Sequence, residues 1–190
     1  MVGTRLRERV GSLFDAISRR YFVSNGFDGT LTSTGVAVGS YLSGVPDGAT
    51  VVAVGVGAAV GLSTSGVWSV WEIERAEMRI ERQEVERAML TDLTETRLAD
   101  QNKRDRVKHA TMSGIGPLLG ILIPISAYAF APAVITMLQA TALAVLLGVL
   151  LLFFFGAYMG SISGQSWVVA GIRMGLAGVV VTVINVLLPG

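Results

Sequence analysis

Five long, mostly apolar runs dominate the chain, at about 26 to 45, 50 to 71, 112 to 131, 133 to 158 and 166 to 188. Each is near the ~20 residues that an α-helix needs to cross ~30 Å of hydrocarbon. Short breaks separate neighbours, at Pro46, Asp47 and Gly48, at Ala131 and Pro132, and from Ser161 to Gly164, so consecutive runs must be antiparallel. One connection is long, and it is the charged one. Ahead of the first run, Leu6, Val10, Leu13, Phe14 and Ile17 recur at helical spacing among Arg5, Arg7, Arg9, Arg19 and Arg20, the pattern of an amphipathic helix lying at a membrane surface. The expected fold is an all-α membrane protein: an interfacial helix over 1–22, two transmembrane helices within 23–71, a charged cytoplasmic helical insert over 72–111, and three more transmembrane helices within 112–190.

Composition strengthens this picture. The chain is 52% hydrophobic and 15% charged, with mean hydropathy +0.60, against about 25% charged in a typical soluble domain. The first apolar run has span length and follows a charged stretch, so no cleavable leader is expected. Of the 15 Lys and Arg residues, five precede the first run, nine lie from Arg75 to Lys108, and the last is Arg173. The positive-inside rule then predicts a cytoplasmic N-terminus and insert and an outer C-terminus, in the cell membrane of a prokaryote. Arg173 falls within two turns of the cytoplasmic end of the last span, where a long side chain can reach the interface.

Enzyme chemistry lacks its usual parts. There is one histidine, His109, no cysteine, and no glycine-rich loop leading to a lysine. Nucleic acid is not an expected partner either, because the nine basic residues of the insert are matched by ten acidic ones.

Asp28 is the one acidic residue expected inside a span, in SNGFDGTLTSTG. A carboxylate in hydrocarbon costs a few kcal/mol, so such a residue by default binds a cation or a proton; the plainer alternative is a helix N-cap. Glu74, Glu77, Glu81 and Glu84 share one helical arc of about 80°, with Met78 at its edge. Carboxylates with a thioether suit Fe(II) or Mn(II), although alternating Glu and Arg also clothe ordinary solvated helices. His109 is expected to be structural or solvated rather than a ligand. The pairs Gly35 and Gly39, Gly57 and Gly61, Gly116 and Gly120, Gly156 and Gly160, and Gly171 and Gly175 repeat the small-residue spacing of packed helices.

SNGFDGTLTSTGVAVGSYLSG, GIGPLLGILIPISAY and GAYMGSISGQSWVVAGIRMGLAGVVVTVINVLLPG, in this order around one charged insert, resemble the vacuolar iron transporter family. The resemblance implies a homodimer that exports Fe(II) or Mn(II) from the cytoplasm in exchange for protons, the metal being cargo and no prosthetic group being needed. It matches Asp28 to the family's first-span aspartate, and the glutamates of the insert to its metal-collecting helix. Ser24, Asn25, Ser63, Thr64 and Ser65 would supply neutral oxygens along the path, and Glu72, Glu74, Glu77, Glu81, Glu84 and Met78 would gather metal. The family's second span usually carries a Met and a Glu near its cytoplasmic end. Here Thr64 or Ser65 stands where the Met is expected, and Glu72 is the first acidic residue. The alternative is a membrane scaffold or sensor whose charged helix binds a cytoplasmic partner; a proton or monovalent-ion channel using Asp28 alone is a third reading.

Overall fold

The computed structural model describes residues 15–89 and 97–188, with side chains from residue 103 onward in the second segment. It is all-helical among these residues: α1 (Ala16–Leu42), α2 (Gly48–Met89), α3 (Arg97–Ile125), a 3-10 turn (Ser126–Phe130), α4 (Met137–Ile162) and α5 (Trp167–Leu187). Most of the expected interfacial helix lies outside the described residues, and residues 16–22 run without a break into α1.

Four helical segments are long and apolar enough to cross a membrane: Gly48–Met89, Lys103–Phe130, Met137–Ile162 and Trp167–Leu187. The chain is thus an integral membrane protein. The first expected span falls on α1, which has the length, 27 residues, but carries Asn25, Asp28, Thr30, Thr32, Ser33 and Thr34. Its hydroxyls are answered locally. Thr30 Oγ1 donates to Gly26 O at 2.7 Å, Thr32 Oγ1 to Asp28 O at 2.8 Å, and Thr34 Oγ1 to Thr30 O at 3.0 Å. Bonding to the preceding turn lets a hydroxyl sit in a dry helix without an unpaired group.

Asp15 starts α1, its Oδ1 accepting from the Ser18 amide at 2.7 Å. Asp47 does the same for α2, accepting from Thr50 N and Thr50 Oγ1, both at 2.8 Å. These bonds hold the exposed Asp47 carboxyl below the usual carboxylate range. At 42 residues, α2 is about 63 Å long, roughly twice the hydrocarbon thickness, so a long part of it must leave the bilayer.

α1 packs chiefly on α3, through glycines. A Cβ on Gly120 would lie 2.5 Å from Gly26 O, and one on Gly29 would lie 2.8 Å from Pro117 Cα. Small residues allow the backbone contact that replaces hydrophobic drive inside a lipid. Gly156 and Gly160 bring α4 against Ala170 of α5 in the same way. The packing role expected for all five glycine pairs therefore needs correction within one chain, because Gly39, Gly57 and Gly61 have nothing within 4 Å of where a Cβ would be. At the end of the bundle away from the charged segment, Ala37, Val51, Ile121, Ile125, Ala140 and Ala144 enclose Tyr128. The Tyr128 hydroxyl donates to Ala37 O at 3.0 Å and lies 2.7 Å from Thr141 Oγ1.

Candidate functional site

Asp28 lies near the middle of α1, twelve residues past its first residue, Ala16. The N-cap alternative for Asp28 is thereby excluded; Asp15 fills that role. Asp28 is exposed, and among the described residues its carboxylate has no hydrogen bond or ion pair. Ser24, one turn earlier, is exposed too.

Asn25 turns the other way. Its Nδ2 donates to Ser113 Oγ at 2.5 Å and to Ser113 O at 3.2 Å, and Gly66 of α2 leaves the space for this pair. Ser63 is buried beside it on α2, its Oγ without a hydrogen-bond partner. Ser63 and Thr64 also line a cavity of about 380 Å³ between α2 and α3, with Val67, Trp68, Thr111 and Gly114. Ser65 is exposed. The expected path residues thus divide: Asn25 binds Ser113 beside Gly66 and Ser63 is buried one turn from Gly66 on α2, while Asp28 and Ser24 are exposed on α1.

The glutamate row divides as well. Glu77, Glu81 and Glu84 are exposed and have no ion pair among the described residues. Glu72 is exposed and lies 3.7 Å from Arg75, and Glu86 lies 3.5 Å from Arg82. Met78 is half-buried. Glu74 is only 7% exposed, because the edge of the arc on which it sits faces α1 and α3. Among the described residues no three His, Asp or Glu side chains converge to hold a metal ion, so the row offers separate carboxylates rather than a preformed cage.

The buried Glu74 belongs to a charged joint that ties three helices together. Tyr21 OH of α1 donates to Glu74 Oε1 at 3.3 Å. His109 of α3, 3% exposed, has Nδ1 at 3.1 Å from the same oxygen, out of line for a hydrogen bond. Its Nε2 lies 3.3 Å from Asp15 Oδ2. Lys108 pairs with that oxygen too and lies 3.7 Å from Asp105. Partial burial alone would raise the Asp15 carboxyl; the Lys108 ammonium and the Ser18 amide outweigh it and hold the group well below the usual carboxylate range. One turn from Glu74, the Arg106 guanidinium sits 4.3 Å over the Trp71 ring, a cation–π contact that fastens α3 to α2. His109, expected to be structural or solvated rather than a ligand, is buried within this joint. Asp15 and Tyr21 were not foreseen; the signal for Asp15 is its residue type alone, since Asp is among the residues that favour a helix N-cap.

Residues 68–188, more than half of the chain, match the VIT family. The chain belongs to the VIT family. It is also 25% identical over 174 residues to an uncharacterized protein of Methanocaldococcus jannaschii, an alignment covering 89% of this chain and 87% of that one. VIT family membership implies membrane transport of metal ions, iron or manganese at the level of the family, whose members are transporters. The VIT match takes in Glu74, Lys108 and His109 of the charged joint and all of α4, whereas α1, with Asp15, Tyr21 and Asp28 at its start and middle, precedes it.

Proposed function

We propose that this protein exports a divalent metal, Fe(II) or Mn(II), from the cytoplasm in exchange for protons, as a homodimer in which α1 is the fifth span. The supporting observation is the Asp28 carboxylate, exposed in mid-helix without a partner of its own. At the centre of a span such a group costs about 2.5–3.5 kcal/mol on insertion scales. A second copy laid along α1, with water and metal between the copies, would relieve that cost. Gly39, on the same face of α1 as Asp28, has nothing within 4 Å of where a Cβ would be and leaves room for close approach, whereas Gly35, one turn earlier, already faces the Asn185 side chain of α5 at 3.8 Å. A metal ion and a proton compete for one carboxylate, which couples their movements. Asn25, Ser24, Ser63, Thr64 and Ser65 would serve as neutral oxygens. The exposed Glu72, Glu77, Glu81 and Glu84 would raise the local cation concentration at the cytoplasmic arm. Glu74, committed to Tyr21 and His109, is left out of that set.

The scaffold or sensor reading draws on one observation, that no three candidate ligands converge among the described residues. Uptake of Fe(II), Mn(II), Co(II) and Zn(II) into proteoliposomes, with and without a pH gradient, separates the two. Asp28→Asn keeps size and a carbonyl oxygen but removes the charge, so metal-driven proton movement should disappear while expression and dimerisation persist. Transport by Asp28→Asn with unaltered pH dependence would sink the assignment.

A further inference from the structure

Between α4 and α5, at the end of the bundle where the 161–166 connection lies, a cavity of about 330 Å³ opens among Met159, Ser163, Gln165, Arg173 and Met174. Arg173 stands six residues past Trp167, the first residue of α5, about 9 Å along its axis. Its guanidinium has no ion pair or hydrogen bond among the described residues. No carboxylate side chain follows Asp105 anywhere in the sequence, so α4 and α5 hold no counter-charge for it. The polar groups beside it are the Gln165 amide and the Ser163 hydroxyl, the latter held by a 3.3 Å contact to Gly160 O. An always-charged planar fork of donors, with neutral groups around it and no acid, fits an oxyanion, of which phosphate is the one that a membrane surface supplies.

Two sources could supply that phosphate, a free ion or a lipid headgroup. The helix favours the lipid. On the same face as Arg173, Val169, Leu176 and Val180 are all exposed and form an apolar strip running up α5, a track for an acyl chain below a bound headgroup. On the orientation that the positive-inside rule predicts, with the C-terminus outside, this mouth faces the cytoplasmic leaflet, where anionic lipids concentrate and basic pockets between spans take their headgroups.

We propose that the α4–α5 mouth is a binding site for an anionic phospholipid, with Arg173 gripping the phosphate, Gln165 and Ser163 completing the headgroup contact, and the α5 strip carrying a chain. The site is independent of the metal path, so its test needs no transport. The full chain, purified in detergent, is melted with added phosphatidylglycerol, phosphatidylcholine or inorganic phosphate, and native mass spectrometry counts retained lipid. Phosphatidylglycerol should raise the melting midpoint by several degrees and be retained, while the other two do little. Arg173→Gln should remove both effects. Should that variant fail to fold, Ser163→Ala combined with Gln165→Leu leaves the guanidinium in place and should weaken retention. Equal stabilisation by phosphatidylcholine, or an Arg173→Gln protein that still retains phosphatidylglycerol, overturns the proposal. Stabilisation by inorganic phosphate alone overturns the lipid source. Dissociation of the oligomer by Arg173→Gln whatever the lipid would instead assign the guanidinium to a contact between copies.

Discussion

Asp15 performs two tasks with one carboxylate: Oδ1 caps α1 through the Ser18 amide, and Oδ2 receives Lys108 and faces His109. The two tasks can be separated. Asp15→Asn keeps a good cap and loses the charge, whereas Asp15→Ala loses both, adding about 1 kcal/mol of destabilisation for the cap. The sign of the pH dependence follows from the carboxyl being held below its ordinary value of 3.8 in the folded protein. A group depressed by folding contributes fully above its unfolded value and loses that contribution as pH falls toward the folded one. The stability gap between the wild-type chain and Asp15→Asn should therefore be widest at neutral pH and begin to close below about pH 4. Melting curves in detergent at pH 7 and pH 3 check this; a gap as wide at pH 3 would mean that the charge is not what stabilises. The cap was not legible, since Leu13, Phe14 and Ile17 continue one helical pattern across Asp15 and hide the start of α1. Nor were the partners of Asp15, because Asp15 and His109 are 94 residues apart and no periodicity links them. For the same reason Glu74 looked like one more member of a solvent-facing row. Helical spacing gives the arc on which it sits, and only the packing of α1 and α3 decides which edge of that arc is covered.

At the scale of helices, length and hydropathy marked the apolar parts of α2, α3, α4 and α5, and the short connections from α3 to α4 and from α4 to α5, because these depend on local composition. Where the close contacts fall was less legible. Five glycine pairs share one spacing, yet Gly120 touches the α1 backbone while Gly57 and Gly61 face open space in the single chain. Spacing says that a helix can offer a flat face; it does not say which face its neighbour takes. Substitution exposes the difference. In Gly120→Ala the new Cβ would meet Gly26 O at 2.5 Å and Thr30 N at 2.9 Å, both backbone atoms that cannot turn aside, so α1 and α3 must separate at a cost of about 1–3 kcal/mol. Gly57→Ala meets nothing within 4 Å and gains helix propensity, up to about 1 kcal/mol. Thermal unfolding of the two variants in detergent should show Gly120→Ala clearly destabilised and Gly57→Ala as stable as the parent or slightly more so. Loss of dimer without loss of helix in Gly57→Ala would place that open face between copies.

For the whole molecule the decisive question is whether α1 crosses the bilayer, since four of the helices meet the apolar criterion and α1 does not. The basic residues bear on it. Nine of them lie from Arg75 to Lys108, so the positive-inside rule predicts that the arm formed by the ends of α2 and α3 lies inside the cell. With that arm inside, α2 must enter the membrane from the outer face, and α3, α4 and α5 must carry the C-terminus outside. This holds with or without α1 as a span, so a reporter after Gly190 cannot count the spans. The N-terminus can. If α1 crosses, Met1 is cytoplasmic, and the five arginines of the first twenty residues obey the same rule as the arm. If α1 does not cross, Met1 is outside and those five charges lie on the wrong face. The charged joint supports crossing, because Asp15 and Tyr21 at the start of α1 touch His109 and Glu74 at the base of the arm, and a helix lying on the outer surface could not reach them. A reporter fused ahead of Met1 should therefore be cytoplasmic, one inserted near Asp92 cytoplasmic, and one after Gly190 external. An external N-terminus would take Asp28 out of the membrane and end its role as the exchanging carboxylate.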